Sequence, residues 1–298
     1  MKGTVYMKKM LFLINPASGK LVLNDSLMEV VEVFAKGDYE INVKLTKDKD
    51  DMIESAHRAD EYDIVVCCGG DGTLNIVAGA VYEKGSDTLI GYIPGGTTND
   101  FANSRRIDTV AVGAAKQIVE GKIRNTDLGL LNGIPFVYVA AFGMFSDVSY
   151  MTSRELKQNL GHAAYLLEGL KSVGSAKPYS AKITYDGGVI EGEFIMGIMS
   201  NSRRVGGFEM PIMQNALYDD GEMEIILVRR PKNALEIQKI INALVLQNPD
   251  DSMVYMLKTT KAHIESDVEI PWSLDGEFGG AYSDAVIEVK ESAVKMIF

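Results

Sequence analysis

Short apolar runs alternate with helical patterns through the first 130 residues, and this alternation constrains the fold more than any other feature. Two runs, at residues 10–14 and 64–68, contain no polar side chain other than cysteine. Such runs are typical of strands buried on both faces of a parallel sheet. The predicted strands cover 10–14, 41–45, 64–68 and 89–93, and the predicted helices cover 26–35, 50–59, 74–82 and 110–120. This order predicts βαβ units and an open, Rossmann-like α/β sheet.

The pattern changes near residue 127, beyond which strands and tight turns dominate. Asn132-Gly133 separates the apolar runs at 128–131 and 136–142 and is a strong signal of a β-hairpin. Further strands are predicted at 181–185, 189–199, 223–228, 253–258 and 286–289. Helical patterns interrupt this half only near 155–173 and 233–246. At roughly 150 residues per domain, a chain of 298 residues fits two domains. We therefore predict an α/β domain over 1–127 and a β-rich, sandwich-like domain over 128–298, whose last residues could return to pack on the first.

Charge and cysteine content exclude several classes of protein. The chain has 30 basic and 41 acidic residues, a net charge of −11, which argues against nucleic-acid binding and against permanent docking on anionic lipid by a basic face. The only cysteines, Cys67 and Cys68, are adjacent in an apolar run, so they provide no disulfide framework and a cytoplasmic location is expected. No apolar stretch reaches the roughly 18 residues of a spanning helix.

The strongest chemical signal is the loop from Gly69 to Thr73, which follows the third predicted strand and precedes a helix. Glycines allow main-chain N–H groups to approach phosphate oxygens closely, and the helix N-terminus favours an anion. An acid in such a loop would repel phosphate unless a divalent cation lay between them. Asp71 therefore predicts Mg²⁺, and the simpler interpretation is that Asp71 only caps the helix.

Three further turn segments contain residues that could bind phosphate or transfer a proton. The second loop runs from Pro94 to Asp100 and also lies between a strand and a helix, with Thr97 offering a hydroxyl group. The segment from Asn15 to Lys20 is similar to a phosphate loop but lacks the Walker A spacing. The late turn from Leu274 to Glu277 holds two carboxylates, and an ionised glutamate there could accept a hydroxyl proton.

Taken together, these segments resemble the diacylglycerol kinase catalytic family, specifically the soluble bacterial lipid kinases. In chain order the matching motifs are Asn-Pro-x-Ser-Gly-Lys at 15–20, Gly-Gly-Asp-Gly-Thr-Leu-Asn at 69–75, Pro-Gly-Gly-Thr-Thr-Asn-Asp-Phe-Ala at 94–102, and Leu-Asp-Gly-Glu at 274–277. NAD kinases are similar at the first of the two glycine loops only. The family implies a nucleotide-binding α/β domain, a β-rich lipid-substrate domain, and an active site in the cleft between them.

The resemblance also implies roles for individual residues. ATP, the phosphoryl donor, would contact a set of polar and glycine positions: Asn15, Thr46, Gly70, Asp71, Gly72, Thr73, Leu74, Asn75 and Thr97. Asp71 would organise Mg²⁺, Asp127 would extend that network, and Glu277 would be the general base on the lipid hydroxyl. A second, structural Mg²⁺ would be held by the Asp220 carboxylate and by the main-chain carbonyls of Leu217 and Glu222.

The expected reaction is ATP- and Mg²⁺-dependent phosphorylation of a lipid hydroxyl, with diacylglycerol giving phosphatidic acid. Alternatives that stay open are a kinase of a sphingoid or phosphatidylglycerol-type alcohol, an NAD kinase, and a nucleotide- or lipid-binding regulator without turnover. The expected partners are ATP, the lipid and, transiently, a membrane surface, with no nucleic acid. A homodimer is left open. An amphipathic pattern at 156–170, flanked by basic residues, could border the lipid entrance.

Overall fold

The computed structural model describes residues 7–18, 23, 26–144, 176–209, 213–246 and 252–298. Contacts divide the chain into two compact units. The N-terminal unit comprises Met1–Asp127 with Ser292–Phe298, and the C-terminal unit comprises Leu128–Glu291. Within the described residues, no helix combines the length and apolar character needed to cross a bilayer.

The N-terminal unit contains an open parallel sheet with helices beside it. Its strands are β1 (Lys8–Ile14), β2 (Tyr39–Leu45), β3 (Ile64–Gly69) and β4 (Leu89–Pro94), and its helices are α1 (Leu27–Lys36), α2 (Lys49–Ala56), α3 (Asp71–Glu83), α4 (Asp100–Arg105) and α5 (Ala111–Glu120). The strand order is β4-β3-β1-β2, all parallel. Every residue of β3 is buried, as its unbroken apolar sequence predicts, so the α/β fold class is confirmed.

The register of this sheet places the phosphate-like segment at Asn15 and the two glycine loops side by side. Ile14 pairs with Cys68, and Gly69 pairs with Pro94, so β1, β3 and β4 end at the same edge. The next residues along each strand, Asn15 and the two glycine loops, therefore lie next to one another. Ligands of open α/β sheets bind at this carboxyl edge.

The C-terminal unit is antiparallel and rich in strands. Its elements, with β5 entering from the N-terminal unit, are β5 (Ile123–Leu131), β6 (Ile134–Phe136), β7 (Val139–Gly143), β8 (Tyr179–Tyr185), β9 (Gly188–Ser200), β10 (Arg204–Val205), β11 (Phe208–Glu209), β12 (Met223–Arg229), α6 (Ala234–Leu246), β13 (Val254–Thr259), β14 (Lys261–Leu274) and β15 (Glu277–Ile297). The pairs β7-β9, β9-β8, β8-β14 and β14-β7 close a ring. The long strands β9 and β14 each contribute to two sides of that ring, and its interior forms the core.

Aromatic side chains fill that core. Trp272 and Phe142 meet edge to face with 4.9 Å between ring centroids, and Phe142 also contacts Tyr179 edge to face. Trp272 and Phe142 are almost completely buried, so they stabilise the unit by removing large apolar surfaces from water. The predicted sandwich-like character of this half is confirmed.

The strand predictions for the C-terminal half are right in type and incomplete in extent. The hairpin at Asn132-Gly133 is confirmed, since both residues have positive φ angles of 47° and 85°, as a tight two-residue hairpin turn requires. The run at 136–142 is two strands, because residues 137 and 138 interrupt it. Most of β14 was not predicted, since its register shifts between Glu265 and Ile270 and a polar stretch hides the pattern. The predicted helix at 155–173 lies outside the described residues.

Candidate active site

The two glycine loops of the N-terminal unit pack main chain against main chain. The N–H of Gly95 donates to the carbonyl of Gly69 at 2.7 Å. A Cβ atom on Gly96 would lie 2.5 Å from the Cα of Gly70. Contacts this close explain why both loops need glycine. The loops therefore form one continuous surface of main-chain atoms at the carboxyl edge of the sheet.

Asn99 fixes the shape of the second loop. Its side-chain oxygen accepts from the N–H of Gly96 at 2.9 Å, and its amide nitrogen donates to the carbonyl of the same glycine at 3.0 Å. Its φ of 51° is left-handed, a conformation that asparagine tolerates better than most residues. Thr97, predicted to contact ATP, is exposed at the loop.

Asp71 connects the first loop to the helix that follows the second. Its carboxylate oxygens accept from the main-chain N–H groups of Asp100 at 3.0 Å and of Phe101 at 3.2 Å. Burial, and secondly the nearby Asp100 carboxylate, raise the pKa of Asp71 to about 6. Two acids crowded in this way hold a negative charge that a divalent cation would relieve. The residues present therefore fit Mg²⁺ at Asp71.

Four of the remaining predicted nucleotide contacts, Asn15, Thr46, Thr73 and Asn75, follow the strand ends at this edge or lie in the first turns of α3. The side-chain amide of Asn15 donates to the hydroxyl of Thr73 at 3.0 Å. Thr46 is buried and its hydroxyl donates to the carbonyl of Ile14 at 3.2 Å, so it ties the end of β2 to the end of β1. The side-chain oxygen of Asn75 is buried without a hydrogen-bond partner in the described structure. Such an atom is available to a donor on a ligand.

Gly72 and Leu74, both predicted nucleotide contacts, could meet a nucleotide only through main-chain atoms. Gly72 is the second residue of α3, so its N–H belongs to the first turn, whose N–H groups have no partner within a helix. The Leu74 side chain is fully buried in the sheet–helix core. Gly70 precedes the helix in an extended conformation. Gly70 and Gly72 suit the family role of presenting amides to phosphate, whereas the N–H of Leu74 donates to the Gly70 carbonyl at 3.1 Å.

Asp127 is fully buried near the end of the N-terminal unit. Its carboxylate accepts from the main-chain N–H of Ser292 at 2.7 Å, and Ser292 has a positive φ of 52°. Met296 and Ile297, a few residues later, add a parallel strand beside β4. The described contact of Asp127 is thus with the returning C-terminal segment, and its part in a metal network stays a prediction.

The two carboxylates of the turn at 274–277, Asp275 and Glu277, differ in burial and in their hydrogen bonds. Asp275 is buried, and its carboxylate accepts from the main-chain N–H groups of Val137 at 2.6 Å, Tyr138 at 3.0 Å and Val139 at 2.9 Å. Glu277, in contrast, is exposed at the start of β15. Asp275 therefore anchors the turn, and Glu277 is the carboxylate that could meet a substrate. Sequence reasoning noted both acids but missed the anchoring role.

The proposed second metal segment contains a lysine that sequence reasoning did not consider. The Lys258 ammonium lies 2.7 Å from the Asp220 carboxylate and 3.1 Å from that of Glu222. The other oxygen of Asp220 accepts from the N–H of Glu222 at 3.2 Å. The described geometry thus places a lysine ammonium beside both carboxylates, and the second Mg²⁺ site stays a prediction. The exposed Leu217 precedes this cluster, and its carbonyl stays a predicted ligand.

Several predicted features lie outside the described residues. These are Gly19 and Lys20 of the first phosphate-like loop and the amphipathic pattern at 156–170.

Comparisons with protein families match nearly the whole chain. Residues 9–131 match the family model described as the diacylglycerol kinase catalytic domain. Residues 139–298 match the model described as the YegS C-terminal NAD kinase beta sandwich-like domain. These two matches meet near the border between the two compact units.

Individual relatives agree with the family match. The chain is 30% identical over 277 residues to a diacylglycerol kinase of Bacillus subtilis (strain 168), covering 92% of this chain and 91% of that protein. It is 32% identical over 276 residues to a diacylglycerol kinase of Staphylococcus aureus (strain JH9), covering 92% and 87%. A crystal structure of a candidate diacylglycerol kinase from Bacillus anthracis str. Sterne superposes with a TM-score of 0.82 at 27% identity, covering 98% and 97%.

Proposed function

Because this chain belongs to the diacylglycerol kinase catalytic-domain family, we propose that it is a lipid kinase that transfers the γ-phosphoryl group of ATP to a lipid hydroxyl. Diacylglycerol, giving phosphatidic acid, is the first acceptor to test, since the curated relatives carry that name. The observation that carries the proposal is the placement of Asp71 between two glycine loops that pack main chain to main chain.

ATP would bind at the carboxyl edge of the parallel sheet. Phosphoryl transfer depends mostly on positioning and on neutralising charge. The main-chain N–H groups of Gly70 and Gly72, at the start of α3, would hold phosphate oxygens, assisted by the helix dipole. The hydroxyl of Thr73, fixed by Asn15, and the unpartnered oxygen of Asn75 would orient the nucleotide.

Asp71 would hold Mg²⁺, most simply through a coordinated water. When bound, the ion would neutralise charge on the β- and γ-phosphates. The chain itself keeps the Asp71 carboxylate in place through the N–H groups of Asp100 and Phe101. The acid is therefore positioned before nucleotide arrives, which lowers the cost of organising the site.

Glu277 would remove the proton from the lipid hydroxyl as the hydroxyl oxygen attacks the γ-phosphorus. The new oxygen–phosphorus bond forms while the bond from the γ-phosphorus to the bridging oxygen breaks, and ADP leaves with that oxygen. Asp275 supports this step as a positioning residue, because its three main-chain hydrogen bonds hold the turn that carries Glu277.

The test is transfer of labelled phosphate from ATP to diacylglycerol in mixed micelles. Asp71→Ala and Glu277→Ala should each abolish most turnover, and both variants should remain folded. Glu61→Ala, which removes an exposed ion pair with Arg58, serves as the matched control and should behave like wild type. Wild-type turnover in either site variant would contradict the role assigned to that residue.

A second candidate function is an NAD kinase, because the C-terminal match is to a domain described as NAD kinase beta sandwich-like. The same ATP assay with NAD as the acceptor separates the two. Transfer to NAD alone would overturn the lipid assignment.

We further propose that the protein is cytoplasmic and contacts a bilayer only briefly, since the net charge of −11 disfavours permanent binding to anionic lipid.

A further inference from the structure

Strand β2 lies at one edge of the parallel sheet in the N-terminal unit, and its outer side is open. Among the described residues, β2 pairs with β1 alone. Glu40, Asn42, Val43 and Leu45 are all exposed. An exposed edge strand presents a row of main-chain donors and acceptors with which another strand can pair. Strand β2 is therefore able to accept a further strand.

The pairing of β2 with β1 fixes the direction of its main-chain groups. The N–H of Thr46 donates to the carbonyl of Ile14 at 2.9 Å, so the main chain at Thr46 faces β1. Successive residues of a strand direct their main-chain groups to opposite sides. The residues at 40, 42 and 44 therefore also face β1. Those at 39, 41, 43 and 45 face outward and carry the donors and acceptors of the open edge.

The sequence of β2 complements itself when two copies run antiparallel about Asn42. It reads Tyr-Glu-Ile-Asn-Val-Lys-Leu at 39–45. In that register Glu40 lies opposite Lys44 of the second copy, and Lys44 lies opposite the second copy's Glu40. Opposite charges at facing positions stabilise a strand pair. Moving the register by two residues would place Glu40 or Lys44 opposite Asn42 and lose this match.

The same register satisfies the outward main chain and covers apolar side chains. Ile41 lies opposite Val43 of the second copy, and Tyr39 lies opposite its Leu45. All of these residues face outward, so they form the hydrogen-bonded pairs of an antiparallel ladder. Val43 and Leu45, which are 39% and 59% exposed, gain apolar neighbours across the pair. Removing their surfaces from water favours association.

The Lys44 ammonium is already held in place within its own copy. It lies 2.7 Å from the Asp51 carboxylate, and the Lys44 side chain stays 39% exposed. A second carboxylate can therefore reach it. Because Asp51 restrains the lysine, less side-chain entropy is lost when Glu40 of a second copy arrives.

We propose that β2 pairs with β2 of a second copy in this two-fold register and joins two N-terminal sheets into one. A contact that uses the same surface of both copies closes on itself, so it gives a dimer and not a chain. The homodimer that the sequence leaves open thereby acquires an interface.

Proline at position 43 tests the hydrogen bonding. The N–H of Val43 faces outward, so Val43→Pro removes a donor from the open edge and spares the pairing of β2 with β1, and edge strands tolerate proline at such positions. Losing one donor from each copy, at roughly fivefold in affinity per hydrogen bond, should raise the dimer Kd about 25-fold or more. Val43→Thr keeps the N–H and is the matched control. Sedimentation equilibrium measures the Kd.

A cysteine on the two-fold axis tests the register. Asn42 faces Asn42 of the second copy at a non-hydrogen-bonded position, where Cα atoms lie about 4.5 Å apart, within the range of a disulfide. Asn42→Cys should therefore give a covalent dimer on mild oxidation. In the control Leu45→Cys, the two thiols are about 20 Å apart along the strands and should not link. The native Cys67 and Cys68 are buried.

Charge substitution at position 40 tests the ion pairs and leaves the contact between Lys44 and Asp51 intact. Glu40→Lys faces two ammonium groups across the pair and should raise the dimer Kd more than Glu40→Gln does. The difference between these variants should shrink in high salt, because salt screens exposed charges.

A wild-type protein that stays monomeric up to millimolar concentration would overturn the proposal. So would a dimer whose Kd Val43→Pro leaves unchanged, or one that Leu45→Cys links as readily as Asn42→Cys. Thermal melting of each variant checks folding. If Val43→Pro does not fold, the comparison of the two cysteine variants still decides, since both keep every main-chain hydrogen bond of β2 with β1.

Discussion

The carboxylate of Asp71 accepts a hydrogen bond from the main-chain N–H of Asp100, with 3.0 Å between oxygen and nitrogen. The first glycine loop thereby holds the start of the helix that follows the second loop. The residue predicted to handle the metal is also a structural link between two loops. A substitution at position 71 can therefore act on chemistry, on loop geometry, or on both.

Asp71→Asn separates these two roles. Asparagine keeps one acceptor oxygen for the N–H groups of Asp100 and Phe101 but loses the charge that a cation requires. We expect kcat to fall by about 100-fold or more, as for loss of other charge-stabilising groups, with little change in the melting temperature. Asp71→Ala should show the same loss together with a lower melting temperature. Phosphate transfer and thermal melting measure both, and near-normal kcat for Asp71→Asn would contradict the role.

The close contact between Gly96 and Gly70 predicts that alanine is not tolerated at position 96. The added Cβ would lie 2.5 Å from the Gly70 Cα, so the loops must separate, at about 1–3 kcal/mol for overpacking. Gly96→Ala should raise the KM for ATP and lower stability. Gly95→Ala is the matched control, since its Cβ would meet neighbours only at 3.5 Å. Equal effects of the two variants on ATP binding would show that loop contact is not the cause.

The two carboxylates of the late turn should respond differently to substitution. Asp275→Ala leaves three main-chain N–H groups, at Val137, Tyr138 and Val139, without their acceptor. At about 1–3 kcal/mol for each buried unpaired group, we expect a loss of about 3 kcal/mol or more. Glu277→Gln should leave stability unchanged, because the side chain is exposed, and should lower kcat by about 100-fold or more, as for loss of a general base. Denaturant unfolding and phosphate transfer distinguish the two patterns, and a stable Asp275→Ala variant would contradict the anchoring role.

The sequence predicts the parts of this molecule that depend on local pattern. The buried strands β1 and β3 were visible because a strand covered on both faces is an unbroken apolar run. The glycine loops were visible because main-chain approach to phosphate requires glycine at fixed spacing. Strand β14 was largely hidden, since its polar stretch and register shift erase the two-residue period.

Side-chain partners distant in sequence could not be predicted in the same way. Asp275 binds residues about 137 positions earlier. Lys258, on β13, lies 38 residues after Asp220 in the chain and contacts it because β13 pairs with β12. Both pairings depend on strand order, which periodicity alone does not specify.

Asp186 makes a part of the stability dependent on pH. The N–H of Thr260 and the hydroxyls of Thr259 and Thr260 donate to its carboxylate and hold the pKa of Asp186 below its ordinary value. Because the folded-state pKa lies below the unfolded one, near 3.9, this stabilisation is present above about pH 4 and is lost as pH falls through the folded-state pKa. Asp186→Asn should melt below wild type at pH 7, and the gap should close in acid. A gap of equal size at pH 3 and pH 7 would contradict the assignment.

Lys258 determines whether the segment around Asp220 needs a metal ion. Its ammonium contacts the carboxylates of Asp220 and Glu222, so it supplies the positive charge that the family assigns to Mg²⁺. Lys258→Met keeps much of the apolar stem and removes that charge, leaving two acids close together. We expect this variant to melt lower than wild type in EDTA and to regain stability with Mg²⁺. The wild type and Lys258→Met are both compared in an Asp71→Asn background, which removes the contribution of Mg²⁺ at the nucleotide site to the melting temperature. If Mg²⁺ instead stabilises the Asp71→Asn protein with Lys258 intact, the ion binds beside the lysine and the predicted metal role of Leu217, Asp220 and Glu222 gains support.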